Sequence, residues 1–239
     1  MTGLTTGQTL FGRYAYPPNE LGYCGPTDGG GTSGLASRAA EFDGAWPYLR
    51  AVADVLGSDA LDETVVDSYW VGGPALYKVE PAELLFRLRS AFTGQITGLL
   101  DVISPSADVL AHHSFHVFVV YPWVRFLDRD ASTAVSVMQS CRIRWGTVES
   151  VDDQHAVISS RPLRFDDGWL VLGAPEAETV HWAKGAVSLT SAPMPGTVVS
   201  AHWDWVCATL TETECAALEA ATATTLKLVN SLVEKGVDR

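Results

Sequence analysis

The chain has 239 residues, of which 47% are hydrophobic and 18% are charged, and these proportions are typical of a globular protein with a substantial core. Its net charge of -12 argues against nucleic acid or an anionic membrane surface as a partner, because phosphate binding needs clustered Lys and Arg. The four cysteines are sparse, residues 1–13 lack the apolar core of a secretory signal, and no apolar run is long enough to span a bilayer. We therefore expect a cytoplasmic protein.

Residues 11–26 are rich in aromatic side chains but contain Pro17-Pro18, Gly22 and Gly25-Pro26, which predict turns and exclude a continuous helix. An irregular segment with so much aromatic surface is expected to pack over a core as an N-terminal arm. Cys24, in a Gly-Tyr-Cys-Gly-Pro turn, is in addition a candidate to join a site. The glycine-rich residues 28–34 predict a flexible loop.

Amphipathic helices are predicted next, because apolar residues recur there at helical spacing. The first covers residues 37–56, with a kink or a new start at Pro47. The second covers residues 61–70, with Asp62 as a possible N-cap and Tyr69 and Trp70 on its apolar side. Pro81 suits the first turn of the third.

Three of the six histidines lie within five residues, in the sequence Ala-His-His-Ser-Phe-His that begins at residue 111, and Ser104-Pro105 is a plausible helix start before them. At helical spacing His113 and His116 share a face, as pairs of metal ligands often do. No carboxylate completes a known zinc pattern, so two interpretations stay open. The imidazoles form hydrogen bonds in a buried seam between helices, or they handle a metal, a heme or protons.

Residues 132–139 predict a short helix, after which the hydrophobic period falls to about two, as in β-strands. Cys141 is expected to open a strand at the mouth of a hairpin whose turn is Asp152-Asp153. Short apolar runs with regular turn signals continue to residue 189 and favour a small antiparallel barrel. Thr211 and Glu214 form a capping box for a C-terminal helix, which should stop at Lys235-Gly236.

Two stretches of this part, one beginning at Cys141 and the other at Pro195, resemble the HypC/HupF family of nickel-iron hydrogenase maturation chaperones. The matching positions are Cys141, Gly146, Val148, Asp152, Ala156 and Ile158, then Gly196, Val199, His202, Leu210, Glu212 and Glu214. Three features differ: Cys141 is internal and lacks the free amino group of the family's N-terminal cysteine, Trp145 replaces a proline, and Trp203-Asp204-Trp205 replaces Gly-Phe-Ala. Two further motifs, Tyr-Ala-Tyr-Pro-Pro-Asn at residues 14–19 and His-His-Ser-Phe-His at residues 112–116, make the whole chain similar to an uncharacterised actinobacterial family often encoded beside hydrogenase genes.

The HypC resemblance implies a hydrogenase maturation or accessory factor that binds or transfers an iron unit carrying cyanide and carbon monoxide, or that chaperones the large subunit. Cys141 would be a ligand or docking thiol, and His202 a ligand or proton carrier. The implied partners are other maturation proteins or the hydrogenase large subunit.

Two alternatives stay open beside this one. The first is a metal- or heme-dependent enzyme of the same pathway, with its site at Cys24, His113 and His116. The second is a metal-free scaffold or interaction protein that keeps the barrel for its binding surface. Three tryptophans beside the predicted site are either pocket wall or anchors for a protein partner: Trp145, Trp203 and Trp205.

The predicted fold class is therefore α+β. A mostly helical domain at residues 1–138, with the irregular aromatic-rich arm, precedes residues 139–239, which form the barrel and the C-terminal helix. The barrel is expected to be OB-like, as the resemblance to HypC implies.

Overall fold

In the computed structural model of the protein, which describes residues 4–234, helices occupy the chain up to residue 141, and strands followed by one long helix occupy the rest. The predicted mixed α+β class with a C-terminal helix is thus confirmed. The α-helices before the strands are α1 (Thr6–Glu20), α2 (Gly31–Ser37), α3 (Trp46–Leu56), α4 (Glu63–Trp70), α5 (Pro81–Ala91), α6 (His113–Phe115) and α7 (Ala131–Cys141). Short 3-10 helices lie at Ala39–Glu41, Pro74–Lys78, Leu100–Val102 and Pro122–Phe126, and a π-helical turn at His116–Val120.

Helix α1 differs from the sequence prediction because it continues through Pro17-Pro18. A proline has no backbone N–H, so these two residues leave the carbonyls of Arg13 and Tyr14 without their usual helical donors. Distant side chains replace the missing donors. The Cys207 thiol lies 3.8 Å from the carbonyl oxygen of Arg13, and His202 Nδ1 lies 2.7 Å from that of Tyr14. The predicted irregular arm is therefore wrong up to Glu20.

The next helices follow their local signals. Asp62 caps α4 by accepting a hydrogen bond from the backbone N–H of Thr64 at 3.0 Å, Pro47 lies in the first turn of α3, and Pro81 begins α5. These predictions are confirmed. The flexible loop predicted at residues 28–34 is wrong in its second half, because α2 begins at Gly31.

The helix predicted to begin at Ser104-Pro105 is absent, and helical backbone begins only at His113. The preceding Val109, Leu110 and Ala111 are all buried. Residues 105 and 106 form a turn, and the chain is irregular from there to His112.

Cys141 is the last residue of α7 and does not open a strand, which corrects the sequence prediction. The strands are β1 (Arg144–Val151), β2 (His155–Ser160), β3 (Leu163–Asp166), β4 (Trp169–Leu172), β5 (Glu176–His181), β6 (Ala183–Lys184), β7 (Val187–Ser188), β8 (Val198–His202) and β9 (Trp205–Leu210). Strands β1 and β2 form the predicted hairpin, and Asp152 in its turn accepts a hydrogen bond from the backbone N–H of His155 at 2.7 Å.

Five of these strands pair in the cyclic order β1-β2-β5-β9-β8. Neighbours run antiparallel except for β5 and β9, which meet through one parallel residue pair, His181 with Trp205. Strands β3 and β4 form a separate two-stranded sheet, as do β6 and β7. Seven buried residues fill a small core of their own among the five strands: Val148, Ala156, Ile158, Val180, Val199, Ala201 and Val206.

The C-terminal helix, α8 (Glu212–Glu234), begins at the predicted capping box, where the backbone N–H of Thr211 donates to Glu214 and the backbone N–H of Glu214 donates to Thr211. Its predicted stop at Lys235-Gly236 lies outside the described residues. Asn230 of α8 forms two 2.9 Å hydrogen bonds with the backbone of Leu170 in β4. Within residues 4–234, no helix combines the length and hydrophobicity that crossing a bilayer would require.

The larger hydrophobic cluster contains buried side chains of α1, α4 and α7 together with Cys207 of β9 and Leu218 of α8. The helices therefore pack directly against the side of the sheet that carries β8 and β9. The boundary predicted between residues 138 and 139 falls inside α7. The division into two domains stays a prediction.

Candidate metal site

His113, Cys141 and His202 meet inside the protein. Each offers one nitrogen or sulfur atom, and these three atoms lie within 4.8 Å of one another. The exposed fractions of the three residues are 5%, 7% and 0%. A thiolate is a soft ligand and an imidazole a borderline one, so this set suits iron, copper or zinc.

Three different elements deliver these side chains. His113 begins α6, Cys141 ends α7 and His202 ends β8. The backbone N–H of Trp203 donates to the carbonyl oxygen of Ser140 at 2.7 Å, and this bond ties the residue after His202 to the residue before Cys141. The thiol and the imidazole are therefore held together by backbone as well as by packing.

One ring nitrogen of His202 is hydrogen-bonded and the other is not. Its Nδ1 lies 2.7 Å from the carbonyl oxygen of Tyr14, which can only accept, so Nδ1 carries the hydrogen. Its Nε2 is buried and makes no hydrogen bond of normal geometry, although the backbone of Cys141 is near enough to influence the ring. Burial, with a contribution from nearby His113, holds the pKa of His202 well below its ordinary value. The neutral ring thus presents the Nε2 lone pair, the form in which histidine binds a metal.

His113 is held on both sides. Its Nδ1 lies 3.0 Å from the Tyr69 hydroxyl, which donates to the carbonyl oxygen of Gly44 at 2.9 Å. Its Nε2 lies 2.8 Å from the carbonyl oxygen of Cys141 and 4.0 Å from the Cys141 sulfur. Burial lowers the pKa of His113 to about 4, so the ring is neutral near neutral pH.

Each neutral tautomer of His113 satisfies only part of these contacts, because the Cys141 and Gly44 carbonyls can only accept and the Tyr69 hydroxyl has one hydrogen. In one, Nε2 donates to the Cys141 carbonyl and the Tyr69 hydroxyl turns its hydrogen toward Nδ1. In the other, Nδ1 donates to the Tyr69 hydroxyl, whose hydrogen goes to Gly44, and the Nε2 lone pair faces the Cys141 carbonyl oxygen at 2.8 Å, which is unfavourable unless a cation binds Nε2. A bound cation favours the second form, because a hydrogen-bonded outer nitrogen is the usual arrangement of a metal-binding histidine.

Cys141 is the only group of the three that can carry negative charge. Burial raises the pKa of its thiol, so the thiol is protonated near neutral pH. Metal binding would therefore release this proton. Donor atoms around a tetrahedral ion lie roughly 3.3–3.8 Å apart for typical bond lengths of about 2.0–2.3 Å, so small inward movements would close the three donors on an ion.

A cavity of about 20 Å³ lies against the three donors. That is the space of a single water molecule or ion. Cys24 and His116 also line it, so the residues predicted for two alternative sites surround one cavity. That Cys24, His113, His116, Cys141 or His202 binds a metal stays a prediction. Much of the remaining wall is apolar or aromatic, and the Trp70 ring lies 4.7 Å from that of His113 and 5.6 Å from that of His202, measured between centroids.

An open pocket of about 420 Å³ adjoins the cavity. Cys24, His116, Tyr23, Gly44 and Tyr121 border both spaces. The pocket is of the size that binds small molecules, and it approaches the buried donors from the solvent side. Cys24 therefore lies between the surface and the three-donor group.

His112, the first histidine of the motif, has a structural role. Its Nδ1 accepts from the backbone N–H of Ser114 at 3.1 Å, and the Ser114 hydroxyl lies 2.8 Å from that of Thr225 in α8. The predicted seam of hydrogen-bonded imidazoles fits the contacts of all three histidines: His112 with Ser114, His113 with Tyr69 and Cys141, and His116 with Tyr48 at 3.4 Å. The metal-binding alternative stays a prediction.

The three tryptophans predicted as partner anchors lie in different environments. Trp205 is fully buried and donates to Glu20 at 3.0 Å, so it is part of the interior. Trp203 is half-buried and stacks on Tyr23 with ring centroids 4.3 Å apart. Trp145 is half-buried beside the guanidinium of Arg142. Only Trp145 and Trp203 retain surface for a partner.

Sequence reasoning did not identify Tyr69, Trp70 and Gly44 as part of this site. Helical periodicity assigns Tyr69 and Trp70 to the apolar side of α4, and nothing in the pattern distinguishes a residue that supports a ligand from one that fills a core. Gly44 contributes a backbone carbonyl, which residue type cannot reveal.

Comparison with curated proteins and with solved structures gives no match. Residues 3–236 match one protein family, DUF6390, which is described as a family of unknown function. Because the match covers nearly the whole chain, the protein belongs to this family.

Proposed function

We propose that this protein is a metal-binding accessory factor of nickel-iron hydrogenase maturation, and that His113, Cys141 and His202 hold the iron that it carries. One observation supports this most strongly. Cys141 and His202, which the resemblance to HypC identifies in two separate stretches of sequence, belong to one buried group of donors.

The chemistry of the group supports metal binding. Burial keeps the imidazoles neutral, and the outer nitrogens of both rings contact oxygen atoms that can fix their orientation. In the HypC family a free amino group lies beside the thiol, whereas Cys141 is internal and has none. His113, which lies outside the HypC-like stretches, supplies a nitrogen donor beside Cys141 instead. The ion-sized cavity favours an ion over a porphyrin, and we propose iron because the resemblance to HypC implies it.

The pairing of the five strands supports the finer fold assignment. The cyclic order β1-β2-β5-β9-β8 is that of a small closed sheet, and we infer that it is the OB-like barrel that the resemblance implies. Cys141 precedes its first strand and His202 ends β8. The helices then cover the site, as a chaperone that shields a reactive iron centre would require.

Iron with cyanide and carbon monoxide attached needs more room than the cavity of about 20 Å³ offers. We infer that the diatomic ligands extend past Cys24 and His116 into the open pocket. Delivery to the hydrogenase large subunit, or receipt from other maturation proteins, would then take place at the mouth of that pocket.

The second candidate is a metal-dependent enzyme of the same pathway. The open pocket favours it, because the hydroxyl of Thr97, a pocket residue only 4% exposed, is buried without a hydrogen-bond partner. A bound small molecule could satisfy that hydroxyl while lying next to Cys24 and His116.

Infrared spectroscopy separates these functions. The protein is purified without oxygen from a host that expresses the hydrogenase assembly proteins, together with Cys141→Ala and the matched control Cys215→Ala. Cyanide and carbon monoxide stretches in the native protein and the control, but not in Cys141→Ala, would support the iron carrier. A silent spectrum with one bound metal ion would favour the enzyme. A silent spectrum without metal would favour a metal-free scaffold.

A further inference from the structure

The three-donor group, His113, Cys141 and His202, supplies only one negative charge, which is not enough to neutralise a divalent ion. Two neutral imidazoles and one thiolate leave a net charge of about +1 on a buried complex with M²⁺, and burying an uncompensated charge is costly. Among the described residues, no carboxylate belongs to the three-donor group. A buried cation, Arg144, also influences His202, and its own partner is Glu178 at 2.9 Å.

A second thiol faces the same cavity. Cys24 lines it together with Cys141, His113 and His202. The turn that carries Cys24 is fixed, because the side-chain amide of Asn19 donates to the carbonyl oxygens of Cys24 and Pro26, each at 2.8 Å. The backbone is thus anchored beside the cavity, and rotation about the Cα–Cβ bond is the movement left to the sulfur.

We propose that Cys24 is the fourth ligand of the metal and the ligand that an incoming molecule displaces. This inference rests on the proposed metal site. With two thiolates and two neutral imidazoles, a divalent ion forms a neutral S₂N₂ complex, which suits tetrahedral iron or zinc. Each thiol gives up one proton to solvent on binding, and no electron is transferred.

His116 is the competing fourth ligand, and its orientation argues against it. A Cβ atom built on Gly44 would lie 2.8 Å from His116 Nε2, so this nitrogen points at the backbone of Gly44. The other nitrogen lies 3.4 Å from the Tyr48 hydroxyl. An imidazole would also leave the charge of the complex at about +1.

Position gives the two thiolates different roles. Cys141 is enclosed by the core, whereas Cys24 borders both the cavity and the open pocket of about 420 Å³. A small ligand or the thiol of a partner protein entering that pocket reaches Cys24 first. Release of Cys24 then opens one coordination position while the other three donors keep the ion, as catalytic and transfer sites require.

Cobalt(II) provides the test, because each thiolate bound to cobalt adds intensity to a near-ultraviolet charge-transfer band. The native protein and the control Cys215→Ser should give equal bands and release two protons per cobalt, measured by calorimetry in buffers of different ionisation enthalpy. In Cys24→Ser the band should fall to about half and about one proton should be released, because one thiolate remains.

X-ray absorption of native protein loaded with cobalt gives the number of sulfur ligands without any substitution. Two sulfurs are expected. One sulfur, or an unchanged band in Cys24→Ser, would overturn the fourth-ligand inference while leaving the three-donor site standing. Native protein that binds no cobalt, iron or zinc would overturn both.

Discussion

His202 Nδ1 donates a 2.7 Å hydrogen bond to the carbonyl oxygen of Tyr14, an acceptor that is available because Pro18, four residues later in α1, has no N–H. The proline pair that should have broken a helix instead provides the acceptor that orients a candidate metal ligand. The Nε2 of the same ring is left without a hydrogen bond, and His202 lines the cavity.

Pro18→Ala tests this relationship. The new N–H at residue 18 would compete for the Tyr14 carbonyl and loosen His202, so we expect metal affinity to fall roughly tenfold, as for other losses of outer-shell support. Titration with zinc against a competing chelator measures the change. Pro17→Ala is the matched control, since it affects the carbonyl of Arg13 and should leave zinc affinity unchanged. Equal affinities in both variants and the native protein would contradict the role of Pro18.

Tyr69→Phe removes the hydroxyl between His113 and Gly44 while keeping the ring. We expect zinc affinity to fall roughly 10- to 100-fold, because His113 would lose the contact that fixes its metal-binding tautomer. The free energy of unfolding of the metal-free protein should fall by only about 1 kcal/mol, the net value of an ordinary hydrogen bond. A zinc affinity equal to that of the native protein would show that Tyr69 does not support the ligand.

Burial lowers the pKa of His113 to about 4 and those of His112 and His116 to about 3. Unfolded histidine titrates near pH 6.5, so between about pH 6.5 and pH 4 the unfolded chain binds protons that the folded chain does not. The free energy of unfolding should therefore decrease as the pH is lowered through this range, by roughly 1.4 kcal/mol per pH unit for each such histidine.

Urea unfolding of the metal-free protein measures this effect. His116→Gln, which cannot titrate, should show a shallower fall between about pH 6.5 and pH 4 than the native protein. Parallel curves would mean that His116 is not held neutral by burial.

Asn230 tests how α8 is attached. Asn230→Ala would leave the backbone N–H and carbonyl of buried Leu170 without their partners, so the free energy of unfolding should fall by about 2–4 kcal/mol. Metal stoichiometry should be retained, because Asn230 does not line the cavity. A loss below about 0.5 kcal/mol would contradict the buried hydrogen bonds.

Local signals in the sequence predicted the elements that depend on local physics. The cap at Asp62, the start at Pro81, the hairpin turn at Asp152 and the capping box at Thr211 each satisfy backbone groups within a few residues. Helix α1 could not be predicted in this way. The donors that replace the missing N–H groups of its prolines lie on strands almost two hundred residues later in the chain.

The candidate site was predictable in its residue types but not in its assembly. Cys141, His202 and the histidine motif stand out because thiols and imidazoles are uncommon and chemically distinctive. Their meeting in one cavity depends on how α6, α7 and β8 pack, which residue spacing does not encode. Tyr69 was missed for a related reason, since its role depends on a contact with His113 made across two elements.

Metal content tests the proposed site most directly. The native protein is purified without oxygen, incubated with iron(II) or zinc(II) and passed through a desalting column. Elemental mass spectrometry then measures the metal bound per chain. We predict about one ion per chain in the native protein and in Cys215→Ser, and its loss in Cys141→Ser and in His202→Gln. Folded native protein without bound metal, or full metal content in both site variants, would contradict the account.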